Sequence, residues 1–318
     1  MKLKIAILLI CSIFIDMPCL NSLQAYDLPA VNLGVTSFVD GGLPAGPGLY
    51  VIETLQYFTS NEFKKSDGSN SFPSSADENL DVWISFTQFA YLTNQELFSG
   101  AKWGMNFIIP IVYLDMDYDL GNKMYPQDNS GGVGDILVGP FVQWDPVMGK
   151  NGPIFVHRIE LQMLFPTGKY DDEKELNPGS NIFYFNPYWS GTLFLTPKWT
   201  TSMRLHYLWN AKNHDPNHNI DAHNTQAGQA VHANFTMAYQ VLPKLRLGLN
   251  GYYLKQLTSN KVNGHTIHSG RERVLGLGPG GIIHFSQKKH LLFNLYFESN
   301  TENRPKGERF NLRYVHYF

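Results

Sequence analysis

The sequence predicts an all-β protein: a single antiparallel transmembrane β-barrel of about 12 strands, with short periplasmic turns and long extracellular loops. Three observations support this fold. Segments of about ten residues alternate apolar with polar side chains, the connections between them are short and long in turn, and the chain ends on an aromatic strand. Beyond the first residues, no apolar run approaches the ~18 residues that a membrane helix needs, so a membrane crossing requires strands closed into a barrel.

The C-terminal stretch 309–318 alternates strictly along its length. One face is mostly apolar and consists of Phe310, Leu312, Tyr314, His316 and Phe318. An aromatic strand at the chain end leaves an open edge, and pairing with the first strand of a barrel removes that edge. A soluble sandwich ending on a strand is the alternative. The terminal aromatic pattern also resembles the signal by which outer-membrane barrels are handed to the barrel assembly machinery, which assigns that role to Tyr314, His316 and Phe318.

Residues 1–25 have the features of a secretory signal peptide: two lysines, a short apolar run, and Ala25 before the expected cleavage point. Both cysteines, Cys11 and Cys19, lie within this stretch. We therefore expect a mature chain without a disulfide or a cysteine–metal site, in the outer membrane of a Gram-negative bacterium.

Residues 26–48 are rich in Gly and Pro and show no sustained alternation. They form either a periplasmic tail or a segment folded back into the barrel, which makes Phe38, Asp40, Pro44 and Pro47 candidates for a plug that gates the lumen. The barrel is expected over 49–318. Its twelve strands are predicted at residues 49–58, 80–91, 101–114, 134–144, 154–165, 182–195, 198–209, 230–241, 244–256, 273–285, 290–298 and 309–318.

Alternation within these strands separates an apolar outer face from a polar lumen face, with Trp199 and Trp209 at opposite strand ends, where interfacial aromatic girdles lie. The predicted lumen and selectivity residues are Arg158, Glu160, Arg204, His206, Arg246, Asn294, Glu298, Arg309 and Arg313. A loop over 299–308 predicts that Glu298 lies opposite Arg309 and Asn294 opposite Arg313. Such charges either steer solutes or form a salt-bridge network that holds the barrel's shape.

The third strand is apolar on both faces over 107–114 (FIIPIVYL), which implies an apolar patch in the lumen or a covering plug. A water-filled porin has charged walls, whereas a channel for hydrophobic molecules has mixed ones. The net charge of −2 argues against a nucleic-acid partner, since phosphate binding needs a basic excess. With 16% charged and 14% aromatic residues, the composition instead suits contact with outer-membrane lipid.

Other motifs carry no predicted site, and no catalytic residue, metal or cofactor is assigned. The loop 210–229 contains three histidines, but Pro216 interrupts helical spacing. The acidic stretch 115–119 begins like a calcium loop and then lacks the required glycine, so a solvated acidic loop is expected. The glycines at 276, 278 and 281 precede a strand rather than a helix, which excludes a dinucleotide-binding turn and favours space in the lumen. A lipid-face hydrolase would need a serine beside His157, and its strand has none.

Segments along nearly the whole mature chain together resemble the phenol meta-pathway degradation family (MetA-pathway of phenol degradation) of outer-membrane proteins. They are VNLGVTSFVDGGLPAGPGLY (31–50), GVGDILVGPFVQW (132–144), FPTGKYD (165–171), NPGSN (177–181), HYLWNAKN (206–213), GQAVHANF (228–235), LRLGLNGYYLKQ (245–256) and ERVLGLGPG (272–280). The resemblance implies an outer-membrane barrel associated with aromatic catabolism, without catalytic residues to carry over.

The residues and the resemblance together predict a passive outer-membrane channel for uptake of small hydrophobic or aromatic compounds of the phenol type. The alternatives are a plugged barrel with a binding or structural role, or an outer-membrane hydrolase. An intermediate lumen is expected, because twelve strands lie between filled eight-stranded barrels and open sixteen-stranded porins.

Overall fold

A computed structural model describes residues 28–71, 77–119, 127–268 and 270–318, so the expected signal peptide lies outside it. No helix in this part of the chain is long and apolar enough to cross a membrane. The strands in chain order are β1 (Gly48–Phe63), β2 (Asp77–Glu96), β3 (Ala101–Asp119), β4 (Gly131–Val133), β5 (Ile136–Trp144), β6 (Val147–Gly149), β7 (Gly152–Glu160), β8 (Met163–Phe165), β9 (Tyr184–Phe185), β10 (Tyr188–Phe194), β11 (Trp199–Asn210), β12 (Thr225–Gln226), β13 (Ala230–Leu242), β14 (Leu245–Gln256), β15 (Lys261–Val262), β16 (His265–Thr266), β17 (Arg273–His284), β18 (Lys289–Glu302) and β19 (Pro305–Tyr317).

Sixteen of these strands form one closed antiparallel barrel, which confirms the predicted fold class. The barrel wall has twelve strand positions. Three of them are occupied by interrupted strands, formed by β4 with β5, β7 with β8, and β9 with β10. The other nine are continuous: β1, β2, β3, β11, β13, β14, β17, β18 and β19. One interruption has a plain cause, because Pro187 lies between β9 and β10 and lacks the N–H that a strand interior needs.

Closure depends on the pairing of the first strand with the last. β1 and β19 pair from Tyr50 opposite Tyr317 to Phe63 opposite Pro305, with a register shift between Ser60 and Glu62. At the chain end, the Phe318 N–H donates to the Leu49 carbonyl at 3.0 Å. The C-terminal strand therefore has no free edge, as its aromatic pattern predicted.

The connections divide the barrel into two ends. The short connections lie at one end, here called the turn end, and comprise residues 97–100, 145–151, 195–198, 243–244 and 285–288. The long connections lie at the other, here called the loop end. There, β12, β15 and β16 form a separate three-stranded sheet from two different loops, which the sequence did not predict.

Strands reach further into the loop end than predicted. β1 continues to Phe63, and β18 and β19 meet at a two-residue turn, Asn303-Arg304, with Asn303 at φ 57°. The predicted register of this hairpin is wrong: Asn294 lies opposite Asn311, and Leu292 lies opposite Arg313. The cause is that residues beyond the expected lipid boundary are polar on both faces, so their strand character is not visible as alternation.

The stretch 115–119 is also strand rather than loop, as part of β3. Elsewhere the alternation is as predicted: in β11 the side chains of Ser202, Arg204 and His206 are buried, whereas those of Met203 and Leu205 are exposed. The ring of Trp199 contacts that of Tyr239 at one end of β11 and the ring of Trp209 contacts that of Phe183 at the other. The polar face of the wall is the lumen.

The closing register is testable by disulfide cross-linking, because a chain without residues 1–25 contains no cysteine. Leu55 lies opposite Leu312 on the outer face. We expect the L55C/L312C double variant to form an intramolecular disulfide on mild oxidation, seen as a mobility change in unreduced gels. Directly opposed residues have Cβ atoms about 4.5–5.5 Å apart, near the geometry that a disulfide needs.

The matched control is L55C/F310C, in which the second cysteine is displaced by two residues along β19. That diagonal is about 7–8 Å, which is too long. Equal cross-linking of the two variants, or a preference for F310C, would contradict the register.

Candidate functional site in the barrel lumen

Residues 28–47, here called the lumen segment, lie inside the barrel and run from the loop end to the turn end. At the loop end, the Leu28 N–H donates to Glu272 Oε1 at 2.8 Å. Further down, backbone atoms of the segment bond to lumen-facing side chains of five strands, namely Asn234, Asn311, Tyr296, Thr192 and Gln143. Near β1, the Tyr317 hydroxyl donates to the Pro47 carbonyl at 2.9 Å.

The turn end of the lumen is filled by an apolar core. Phe38 is 3% exposed and packs in a cluster with Tyr50, Ile52, Ala90, Ala238, Ile282, Leu292 and Val315. Of the other plug candidates, Asp40 reaches the lumen wall, Pro47 contacts it through its carbonyl, and Pro44 is exposed. Burying a phenylalanine contributes about 1.5–3 kcal/mol, so this core holds the segment against the wall.

An ion pair fixes the middle of the segment. Both oxygens of Asp40 accept hydrogen bonds from Arg204, from Nε and Nη2, each at 2.6 Å. The Arg204 guanidinium also lies over the Tyr188 ring, 3.9 Å from its centroid. Arg204 is 2% exposed, so the carboxylate supplied by the segment compensates a charge that the wall alone would leave buried.

Glu160 is the centre of a second network on the neighbouring wall. Its carboxylate accepts hydrogen bonds from Tyr188 at 2.6 Å, from Gln162 at 2.9 Å, and from Asn106. Arg158 lies 3.6 Å away as its ion-pair partner. The side chain occupies space that a Cβ at position 139 would fill, so Gly139 leaves room for it.

A third network contains the predicted pair Glu298 and Arg309, 3.7 Å apart. They meet diagonally rather than directly across the hairpin, because Arg309 lies opposite Tyr296. The Tyr252 hydroxyl donates to Glu298 at 2.6 Å, and Arg309 donates to Gln56 at 2.9 Å.

Three other predicted lumen residues, Arg246, Asn294 and His206, lie outside these three networks. Arg246 lies at the turn end and donates to the backbone carbonyls of residues 197 and 198. Asn294 bonds to Ser37 of the lumen segment at 3.0 Å rather than to Arg313. The His206 ring stacks on that of His232, with centroids 4.1 Å apart. The selectivity role of these side chains stays a prediction.

A cavity of about 470 Å³ lies between the lumen segment and the β2–β3 wall. Towards the loop end its lining is mostly apolar and includes Leu80, Val82, Ile84, Phe86, Ile108, Pro110, Val112, Leu114, Leu137 and Leu164. Its middle is lined by polar and basic side chains, which are Gln56, Gln88, Asn106, Arg158, Arg204, Arg309 and Arg313. The stretch 107–114 thus supplies the apolar lumen patch that its composition indicated.

The predicted set of lumen and selectivity residues omits several polar side chains that line the lumen. Gln56, Gln88 and Asn106 lie on β1–β3, and Asn234 and Asn311 hold the lumen segment. Each occupies the inward parity of its strand. The predicted set favoured charged residues and contained one amide, Asn294, so it left out these amides, which parity applied to all polar residues would have included.

Glu272 is a buried carboxylate that lines the loop end of the cavity. Burial raises the pKa of Glu272, and Arg304, which donates to it at 3.2 Å, acts in the opposite direction. No group of three or more His, Cys, Asp or Glu side chains within the described residues is placed to hold a metal ion. In the histidine-rich loop, His218 pairs with Asp172 at 2.8 Å, and on the outer face His157 stacks on Trp144, with centroids 4.3 Å apart.

The ion pair between the segment and the wall yields a prediction. We expect Asp40→Asn to release the middle of the lumen segment, because it leaves Arg204 buried without its carboxylate, at a cost of about 3–5 kcal/mol. Hydrogen exchange of residues 34–43 should increase by at least a factor of ten. Arg246→Gln is the control, since it removes a lumen-side charge that does not contact the segment. Unchanged exchange in Asp40→Asn would show that the pair does not hold the segment.

Comparison with known proteins identifies the family. The model described as "Putative MetA-pathway of phenol degradation" matches residues 60–314. Among solved structures, the COG4313 outer membrane channel from Pseudomonas putida F1 is similar at 20% identity, with a TM-score of 0.74 and coverage of 89% of this chain and 100% of that chain. The β domain of the Bordetella autotransporter BrkA is similar at 14% identity, with a TM-score of 0.49 and coverage of 86% and 100%.

No match was found among the curated proteins. The fold is that of outer-membrane β-barrels, in agreement with the closed twelve-stranded wall. Because the family model covers most of the chain, this protein belongs to the MetA-pathway of phenol degradation family.

Proposed function

We propose that this chain is an outer-membrane channel of a Gram-negative bacterium that takes up small hydrophobic or aromatic compounds. The observation that carries the proposal is the cavity of about 470 Å³, apolar towards the loop end and bounded by the lumen segment. Membership of a family named for phenol degradation, and a fold shared with an outer membrane channel, support it.

The chemistry of the cavity supports a hydrophobic solute. Transfer of apolar surface from water contributes about 25 cal/mol per Å², so an aromatic ring gains free energy on entering between the β2 and β3 side chains. Small-molecule sites are commonly about 300–1,000 Å³ and mostly apolar, and this cavity falls within that range. A wide water-filled pore would give no such preference.

Uptake through the lumen requires the lumen segment to move, because the Phe38 core fills the turn end. We take the segment as the gate, and the Asp40–Arg204 pair as the contact that holds it closed. In this arrangement a solute collects in the cavity first and crosses when the segment shifts. If the segment never moves, the protein is instead a plugged barrel with a binding role, which the same apolar core favours.

The rest of the chain fits this location. We place the turn end in the periplasm and the loop end outside, as in other outer-membrane barrels. Residues 1–25 would be removed on export, leaving 26–48 as the N-terminal region that contains the lumen segment and 49–318 as the barrel. The outer face would contact lipid, and Tyr314, His316 and Phe318 would be read by the barrel assembly machinery.

The test compares the mature protein with a variant lacking residues 26–47, both refolded and inserted into planar bilayers and liposomes. We expect the mature protein to admit phenol into liposomes while passing little ion current, because the segment blocks a continuous water path. The deletion variant should show large current steps. Absence of phenol uptake in both proteins would contradict a channel, and current steps in the mature protein alone would contradict the gate.

A substitution in the cavity wall gives a finer prediction. Val112→Thr keeps the side chain's size and adds a hydroxyl to the apolar lining, so phenol uptake should fall about three- to tenfold, reflecting roughly 1 kcal/mol of unfavourable desolvation. Val231→Thr on the outer face is the matched control, and it should leave uptake unchanged. Equal rates in both variants would show that solute does not contact this wall.

A further inference from the structure

We propose that the cavity binds small aromatic or aliphatic carboxylates, with the anionic group on Arg313 and Arg158 and the apolar body along the β2–β3 wall. This inference deepens the proposed function, and rests on it, by naming the chemical class of the solute. It follows from guanidinium groups whose charge the protein itself does not fully compensate.

Arg313 is the clearest of these groups. In the described part of the chain, the four other arginines that line the cavity are ion-paired: Arg204 with Asp40, Arg309 with Glu298, Arg158 with Glu160, and Arg304 with Glu272. Arg313 forms no ion pair there, and its side chain donates one hydrogen bond, to the neutral amide oxygen of Gln88 at 3.1 Å. A guanidinium carries five N–H donors, so most of the Arg313 donors remain for a ligand.

The surroundings of Arg313 increase its need for an anion. It interacts electrostatically with Asp40, which Arg204 already neutralises, and with the like charges of Arg204 and Arg158. All three arginines line the same cavity. A cluster of like charges in a poorly solvated lumen is unfavourable unless an anion joins it.

Arg158 supplies a second group of the same kind. It is 5% exposed, its ion pair with Glu160 is long at 3.6 Å, and within the described residues its buried Nε has no hydrogen-bond partner. Its guanidinium also lies 5.0 Å from the Phe141 ring centroid, which compensates the charge only in part. Glu160 is meanwhile engaged by Tyr188, Gln162 and Asn106.

The acidic side chains that line the cavity do not cancel this basic region. Asp135 accepts hydrogen bonds from Ser180 and Gly168, and Glu272 accepts them from Leu28 and Arg304. Glu175 accepts hydrogen bonds from Gln127 and Asn219. Each is therefore occupied by a donor of its own.

A carboxylate fits this arrangement better than a neutral phenol. Carboxylates and guanidiniums form bidentate, charge-assisted hydrogen bonds, whereas a phenol, with a pKa near 10, is uncharged at neutral pH. The inward apolar side chains of β2 and β3, such as Val82 and Leu114, then accommodate a ring or short alkyl chain. The cavity thus offers guanidinium groups to the carboxylate of an amphipathic anion and an apolar wall to its ring or chain.

The test uses benzoate and its neutral isostere benzamide as probes of the refolded mature protein, with binding measured by calorimetry. We expect benzoate to bind roughly ten- to hundredfold more tightly than benzamide, as charge-assisted hydrogen bonds predict. Arg313→Gln should remove that preference while leaving benzamide binding unchanged. Arg313→Lys, which keeps the charge, should retain part of it, and Arg246→Gln, outside the cavity, should retain it all.

Equal affinity for the two probes, or a benzoate preference that survives Arg313→Gln, would overturn the inference. If Arg313→Gln does not fold, as judged by loss of the gel shift between unheated and heated samples, Arg158→Gln carries the same test. Phenol uptake into liposomes is measured in parallel. Phenol uptake without a benzoate preference refutes the carboxylate inference alone, whereas no uptake of phenol or benzoate refutes the channel itself.

Discussion

The backbone pairing of β1 with β19 is the constraint on which the rest of the structure depends. Hydrocarbon offers no water to satisfy N–H and C=O groups, so a sheet can cross a membrane only when it has no free edge. The pairing from Tyr50 to Phe63, with one register shift between Ser60 and Glu62, meets that requirement. Once the wall is closed, it encloses a lumen, and an inward side chain can find partners only inside it.

The lumen has three successive regions along the barrel, two filled by different kinds of contact and one partly open. At the turn end the filling is apolar, around Phe38; in the middle it is ionic and amide-rich, around Arg204 and Glu160; and on one side of the loop end it is incomplete. The lumen segment contributes to the first two and leaves the third open. The cavity exists because the loop-end half of the segment bonds to β13, β18 and β19 and leaves the inner face of β2 and β3 uncovered.

Charged side chains are tolerated deep in the lumen because each has partners there. Glu160 and Arg204 are almost completely buried, and each would be costly if its partners were removed. Two glycines make room for these networks. Because they have no side chain, Gly139 leaves the space that Glu160 occupies, and Gly276 leaves the space that Tyr252 occupies. Gly276 and Gly280 of β17 thus leave space on the lumen side, whereas Gly281, which was predicted to do the same, lies against Leu247 and Phe293 on the outer side.

Much of the fold could be predicted from sequence, because lipid and lumen impose opposite demands on alternate residues. That contrast made strands such as β11 and β13 readable to within a few residues. It disappears beyond the lipid, where β1, β18 and β19 continue with polar residues on both faces, so the hairpin register could not be predicted. The site was predictable only in part. Inward charges were found by parity, but their pairing depends on register and on a Gly/Pro-rich segment whose path has no periodic signal.

The direction of the lumen segment has a consequence for how the protein is made. Residue 28 lies at the loop end, whereas Gly48 begins β1 at the turn end, so the segment spans the lumen lengthwise. Threading it into a finished barrel would carry the charged Asp40 past the apolar wall side chains of the turn end, such as Tyr50, Ile52 and Val315. We expect the segment to be laid against the growing sheet first, with the seam between β1 and β19 sealing last. The lumen segment then acts as an internal template against which the barrel wall assembles.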